Sequence, residues 1–419
     1  MRFWIGLLSL VAAWAAPVAN AETTQTSLTL SHALARVLEA NPQLQAADFD
    51  ARAAAARIRQ QSQSTPYTLG VEVENFAGSG ELAGTRGLET TLSLGRVLEF
   101  GDKARARGEV ATLEAGLLRH DQDAQRLDLL AETARRFLAL ARAQAERDLA
   151  GQRVTLMQRT ARAVDQRHRL GKAPAAEHSR IQIELARAEL ALEETDHLLG
   201  NGRHRLAVMW GAFPPDVDAV QADVFRLEPE PEFAALDRAI DRNPALARLA
   251  TVERLGAARA ALARTRSRPD PELNAGVRHL NRSDDVGLVL SLRLPLGSAG
   301  RAGSYIDEAE ALAAREPLLA QDRRLALRAT LYGLHQELRH ARDRFETYRD
   351  RVIPAAERAV ADYSEGYAAG RYSLLELSAA QTTLLEARSE ALSAAVEHHA
   401  ARIEIDRLVG AEPVKGVAP

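Results

Sequence analysis

The sequence predicts a mainly α-helical chain with a small β-part, drawn out into long antiparallel rods and built as two internal repeats. Residues 102–170 contain no proline and are rich in Ala, Leu, Arg, Glu and Gln. A continuous helix of that length extends roughly 100 Å, more than a compact globular domain can house. Short segments of alternating apolar and polar residues precede this run, and an equivalent pair returns in the second half of the chain. Aromatic residues make up only 5% and charged residues 26% of the chain, the profile of long helices in bundles.

Residues 1–21 read as a secretory signal peptide: Arg2, an apolar stretch over 3–16, and the small-residue site Ala19-Asn20-Ala21. The mature chain is then expected to begin at Glu22. An N-terminal anchor is the other reading, but the apolar stretch is shorter than a membrane span needs. No other run approaches that length, and the charge content excludes a polytopic helical membrane protein. Removing the leader deletes Arg2 alone, taking the formal charge from −3 to −4. Such mild acidity argues against a nucleic-acid partner. The absence of cysteine excludes disulfides, thiolate metal sites, cysteine nucleophiles and a lipidated N-terminal cysteine.

The first repeat is placed at residues 22–211. A helical pattern from near Thr29 to about Ser64 is interrupted at Asn41-Pro42, where Asn suits an N-cap and Pro the first helical position. A strand pair follows within 67–98. In its first strand Leu69, Val71 and Val73 alternate with Gly70, Glu72 and Glu74; in its second, Leu88, Thr90, Leu92 and Leu94 alternate with Glu89, Thr91, Ser93 and Gly95. The long helix is assigned to 102–170. Its seam Leu127, Leu130, Ala134, Phe137, Ala141 steps by three and four, so one narrow apolar stripe faces neighbouring helices. Gly171 closes a tight turn into an antiparallel partner helix at 174–210.

Residues 212–231, with Pro214, Pro215, Pro229 and Pro231, read as an irregular linker. The second repeat, 232–411, holds a helix, a strand pair over 272–294, a long helix at 302–369 and a helix at 373–409, with a tail at 412–419. Pro317 and Pro354 are expected to break its long helix locally. Asn243-Pro244 echoes Asn41-Pro42, Leu290-Ser291-Leu292 echoes Leu92-Ser93-Leu94, Gly370 echoes Gly171, and Gly410-Ala411 echoes Gly211-Ala212. Four landmarks kept in order define an internal duplication.

Four half-apolar strands per chain cannot leave their edges open in a bilayer, where each unpaired backbone group costs several kcal/mol. They are expected to close a shared barrel. Two chains supply eight strands, filled by side chains; three supply twelve, which leaves a lumen. The outward faces are assigned to Leu69/Val71/Val73, Leu88/Leu92/Leu94, Leu273/Val277 and Leu288/Leu290/Leu292.

On the doubled Asn-Pro helices, the strand pairs and the run Tyr363-x-x-Gly366-Tyr367-x-x-Gly370 leading to Ser373, Leu374 and Ala380-Gln381, the chain resembles the TolC-type outer-membrane efflux protein family, heavy-metal branch. The resemblance covers residues 28–411. It implies a homotrimer with a twelve-stranded outer-membrane β-barrel and a long periplasmic α-helical barrel. It also implies docking to a periplasmic adaptor (membrane fusion) protein served by an inner-membrane resistance-nodulation-division pump, with no cofactor. Heavy-metal cations are the implied cargo. A multidrug or type I secretion duct, or a coiled-coil adaptor without a pore, are the alternatives.

The resemblance also places a pore constriction at the periplasmic tip, with Tyr367 as gate tyrosine, Glu376 as a ring acid and Glu177 as its counterpart in the first repeat. A second family acid falls on Ala379 and a basic gate partner on Tyr372, departures that weaken the constriction. Read from the residues alone, Glu177 and Glu376 are first-turn carboxylates favoured by the helix dipole. The adaptor-docking turns are assigned to Leu170-Gly171 and Gly370-Arg371. Among the histidines, His398-His399 and the pair His197/His204 lack the spacing of a zinc-binding helix and are expected to be surface residues. No nucleophile elbow or phosphate loop accompanies the Ser, His and Asp residues, so no enzyme is expected.

Overall fold

The computed structural model describes residues 27–412; the leader read over residues 1–21 and nearly all of the tail lie outside them. In chain order the elements are β1 (Ser27–Leu28), α1 (Leu30–Ala40), α2 (Pro42–Gln61), β2 (Tyr67–Glu74), β3 (Glu89–Val97), α3 (Lys103–Arg169), α4 (Ala175–Ala207) and β4 (Ala219–Val220). The second half follows with α5 (Phe233–Ala239), α6 (Pro244–Thr265), β5 (Glu272–Leu280), β6 (Asp285–Arg293), α7 (Ser298–Thr347), α8 (Ile353–Ala368) and α9 (Leu374–Leu408). The 67-residue helix α3 is unbroken. Leu130, Ala134, Phe137 and Ala141 of its seam are buried, and it packs along α4, α6, α2 and α9.

Each Asn-Pro motif does more than start a helix. Asn41 accepts from the Gln43 and Leu44 N–H groups through Oδ1 and donates through Nδ2 to the Met209 carbonyl at 2.7 Å. Asn243 accepts from Ala245 N–H and donates to the Leu408 carbonyl, also at 2.7 Å. Both asparagines are buried. One side chain thus caps the opening helix of a repeat and satisfies an orphan carbonyl at the end of its closing helix. Asn243→Ala loses the cap and strands a carbonyl, an expected cost of about 2–4 kcal/mol. Thermal unfolding of Asn243→Ala against Asn243→Asp, which keeps the cap alone, separates the two contributions.

The sheet runs β2-β3-β5-β6, antiparallel throughout. Its register aligns Leu69, Leu94, Ala275 and Leu290 in one row and Val71, Leu92, Val277 and Leu288 in the next. That face is bare: Leu288 is 90% exposed and Leu290 74%. On the other face Arg278 donates to Thr91, Glu89 and Glu74 at 2.8–2.9 Å. Among the described residues, the outer edges of β2 and β6 have no strand partner. β3 begins at Glu89, so Leu88, half-buried, lies one residue ahead of the strand.

Three further expectations are corrected. The second long helix starts at Ser298, ahead of residue 302, and divides at a π-helical turn, Tyr348–Val352, into α7 and α8. Pro354 follows that turn, where its missing N–H demands an adjustment of the ladder. Pro317 breaks nothing: it lies exposed inside α7, where the carbonyl it frees can reach water. Residues 212–231 form a fitted belt with buried Val217, Val220 and Val224, in which β4 pairs in parallel with β1. Gln144 of α3 bridges both backbone groups of Val220. Prolines hide such a strand from sequence patterning, since its partner lies at the far end of the repeat.

Candidate functional site

The two helical hairpins, α3/α4 and α8/α9, end in matching turns. Gly171 and Gly370 adopt φ values of +68° and +77°, a left-handed conformation that glycine enters without steric cost. In each turn the next residue's N–H reaches five positions back, Lys172 to Arg167 and Arg371 to Gly366, both at 2.8 Å. These are helix-ending bonds of the Schellman type. Leu170 is 62% exposed, and Arg371 lies at the surface 3.4 Å from Glu365.

Above the turns the hairpins are clasped. Tyr367 is 2% exposed, packed among Val164, Ile181, Leu374 and Leu377. Its hydroxyl donates to Glu177 Oε2 at 3.0 Å, joining α8 to the first turn of α4. Burial, reinforced by the Glu177 carboxylate, pushes the phenol up to about 12, so it remains a donor at any physiological pH. Arg167, a residue the sequence did not single out, completes the clasp from α3. Its guanidinium stacks on the Tyr367 ring at 4.6 Å, and it donates to the carbonyls of Tyr367 and Lys172. As a basic residue in a last helical turn it carries no distinguishing signal in sequence.

Gly366 is required by contact: a Cβ there would meet the Tyr372 ring at 2.2 Å. Tyr372 folds back on it and against Tyr363, ring centres 4.8 Å apart. Glu376 forms a capping box with Ser373 at the start of α9, accepting from its backbone N–H and its hydroxyl, both at 2.8 Å. These bonds, the backbone one foremost, hold its carboxyl below the usual carboxylate range. Buried Gln381 donates to Thr160 at 2.8 Å, a second tie between α9 and α3.

His398 and His399 are buried, against the expectation of surface residues, while His197 and His204 are exposed. His398 and His399 lie on the packed face of α9, where one nitrogen of each ring meets a carbonyl: His398 donates to Leu338 and His399 to Val224 of the belt. Burial holds His398 down to about 4. An imidazole that is neutral when folded and binds a proton near pH 6.5 when unfolded stabilises fully above pH 6.5. That contribution, about 2–3 kcal/mol, is lost as pH falls from 6.5 to 4. Denaturation of His398→Gln across that range is expected to show a flatter pH profile than the parent. Among the described residues no three His, Asp or Glu side chains are gathered closely enough to hold a metal ion, and no helix is long and apolar enough to cross a membrane.

A half-apolar sheet with open edges is mounted on packed helices, the longest of which, α3, runs 67 residues, about 100 Å. The chain belongs to the outer membrane efflux protein family, which it matches over residues 33–212 and 235–411. It is 26% identical over 325 residues, 77% of each chain, to the cobalt-zinc-cadmium resistance protein CzcC of Cupriavidus metallidurans. Its fold is that of solved TolC-type channels. CusC superimposes with a TM-score of 0.76 at 16% identity, covering 96% of this chain and 95% of that one. The Campylobacter jejuni CmeC outer membrane channel gives 0.75 at 14% identity, covering 91% and 85%.

Proposed function

We propose that three copies of this chain close a twelve-stranded barrel in the outer membrane and a helical tunnel beneath it, the exit duct of a tripartite efflux system. The carrying observation is the four-stranded sheet with one apolar face and two unpartnered edges. Closure with other copies satisfies both. The matching turns at Leu170-Gly171 and Gly370-Arg371 are where a periplasmic adaptor docks, repeated six times around a trimer. An inner-membrane resistance-nodulation-division pump feeds the duct. Heavy-metal cations are the cargo, supported by the likeness to a cobalt-zinc-cadmium resistance protein.

In this reading the periplasmic tip is the constriction. Glu376, exposed and ionised, and Glu177 converge around the axis, and two carboxylates about 6 Å apart repel by roughly 2–3 kcal/mol at an effective dielectric near 20. Such a ring recruits cations and repels anions. The Tyr367–Glu177 bond holds the hairpins together in the closed state. Single-channel recording of the purified protein tests both roles. Tyr367→Phe is expected to raise the open probability, and Glu376→Gln to lower cation preference and block by multivalent cations. If Glu376→Gln leaves selectivity and block unchanged, Glu376 serves only the capping box.

A further inference from the structure

The helices joined to the sheet follow the order of its strands. α2 packs on α3, α3 on α6 and α6 on α7, matching the order β2-β3-β5-β6, so α2 and α7 stand at the two ends of the row. α2 covers only its α3 side. Leu44, Ala47, Ala54 and Ile58 are half-buried there, while Ala46, Phe49, Ala53 and Ala56, at steps of three and four, are exposed. α7 carries a matching bare row at heptad spacing, Ala311, Leu318, Leu325 and Tyr332. Phe49 and Leu318 are each 67% exposed, and the Phe49 ring meets only the guanidinium of Arg52, on its own helix, at 5.2 Å.

The internal duplication supplies a template for how two such rows meet. α6 repeats α2 at a step of 202 residues, the spacing of Asn41 and Asn243, so Thr251, Leu255 and Ala258 correspond to Phe49, Ala53 and Ala56. In α6 these three are buried. α7 repeats α3 at a step of 198, the spacing of Leu92 and Leu290. That step holds within the helices: Gly108 and Gln122, which meet α2 at Ser62 and Ala47, fall on Ile306 and Ala320, in the heptad row of Ala313, which meets Gly256 of α6. Inside the chain α6 sits on α3 with Thr251 Oγ1 3.2 Å from His120 Nε2 and against Gly116. Ion pairs flank the contact, Arg248–Asp121 at 2.6 Å and Arg259–Glu114 at 2.9 Å. Carried over by the two steps, Thr251, His120 and Gly116 become Phe49, Leu318 and Ala314. The ion pairs become Ala46 with Leu319 and Arg57 with Leu312, and every one of these counterparts is exposed.

We propose that α2 of one copy packs against α7 of a second copy, with Phe49 seated on Leu318 and Ala314 in the way that Thr251 is seated on α3. The proposal rests on the reading of the chain as an oligomeric duct. The occupant is this chain itself because the unpaired edges of β2 and β6 border the same two helices, so closing the sheet brings α2 and α7 together. A polar, ion-paired contact inside the chain is exchanged for an apolar one between copies, the composition of interfaces between identical subunits.

Disulfide trapping tests it. The chain has no cysteine, so Phe49→Cys/Leu318→Cys can be oxidised in outer membranes without background. Within one chain α3 and α6 intervene, each about 8–10 Å from its neighbours, and a disulfide tolerates a Cα separation of only about 4.4–6.8 Å. The bond therefore forms only between copies. The double variant is expected to run as cross-linked multimers on a non-reducing gel. Phe49→Cys alone is expected to stay monomeric there, as is Phe49→Cys/Arg324→Cys, whose second position is exposed but off the row. Phe49→Glu is expected to weaken the oligomer in mild detergent and Leu318→Arg in the same chain to restore it, which tests the seam even if the cysteine pair misfolds. Native mass of the parent separates the outcomes. An intact oligomer with neither cross-link nor charge rescue overturns this seam and leaves the duct standing; a monomeric parent overturns both.

Discussion

Leu290→Arg is expected to abolish assembly in the outer membrane. Leu290 lies mid-strand in β6, 74% exposed, in register with Ala275, Leu94 and Leu69 on the apolar face. A guanidinium near the bilayer midplane costs about 2–4 kcal/mol, and the proposed closure of one barrel by three chains multiplies it to roughly 6–12 kcal/mol. That rivals the whole stability of an ordinary domain. The neighbouring Ser291 points to the opposite, polar face, so Ser291→Arg is expected to assemble normally. Outer-membrane fractionation followed by mass measurement in mild detergent reads both variants. Normal assembly of Leu290→Arg alongside failure of Ser291→Arg would reverse the facing of the sheet.

Bulky residues at both turn glycines should abolish efflux while leaving the oligomer intact. No atom lies within 4 Å of a Cβ built at Gly171, and at Gly370 only the Arg167 guanidinium comes as near as 3.8 Å. A tryptophan at either position therefore projects outward, without entering the core. The cost to folding is the left-handed backbone, about 1–2 kcal/mol per position. In the proposed assembly an adaptor seated on six such turns meets six obstructions. Expected results are an unfolding midpoint lowered by only a few degrees, loss of adaptor co-purification and loss of metal tolerance in cells depending on this duct. Asparagine at both glycines accepts the left-handed conformation and adds little bulk, so it should retain export. Unchanged export by the tryptophan pair moves the docking surface elsewhere.

Local order was legible in the sequence because its causes are local. The three-four seam around Phe137, the Asn-Pro helix starts and the strand alternation at 67–74 and 285–293 each depend on residues within one or two turns. The doubling of these signals was enough for the two-repeat helical architecture, and the strand alternation was enough for a sheet with one apolar face. Tyr367, Glu376 and Glu177 were nominated through family resemblance. Spacing alone left the two acids as helix-start carboxylates, and for Glu376 the capping box with Ser373 is indeed present.

What the tertiary structure decided involves partners far apart in the chain. The belt at 212–231 carries no pattern of its own, and its strand exists only because β1 lies beside it. His398 and His399 look like surface polarity until the carbonyls of Leu338 and Val224 arrive to satisfy them. Arg167 becomes part of the clasp only when α8 brings the Tyr367 ring under its guanidinium. His178 meets His168 and Asp165 only after the Gly171 turn folds α4 back along α3. Periodicity records which face of an element is buried; which side chains then meet is set by the packing of elements up to hundreds of residues apart.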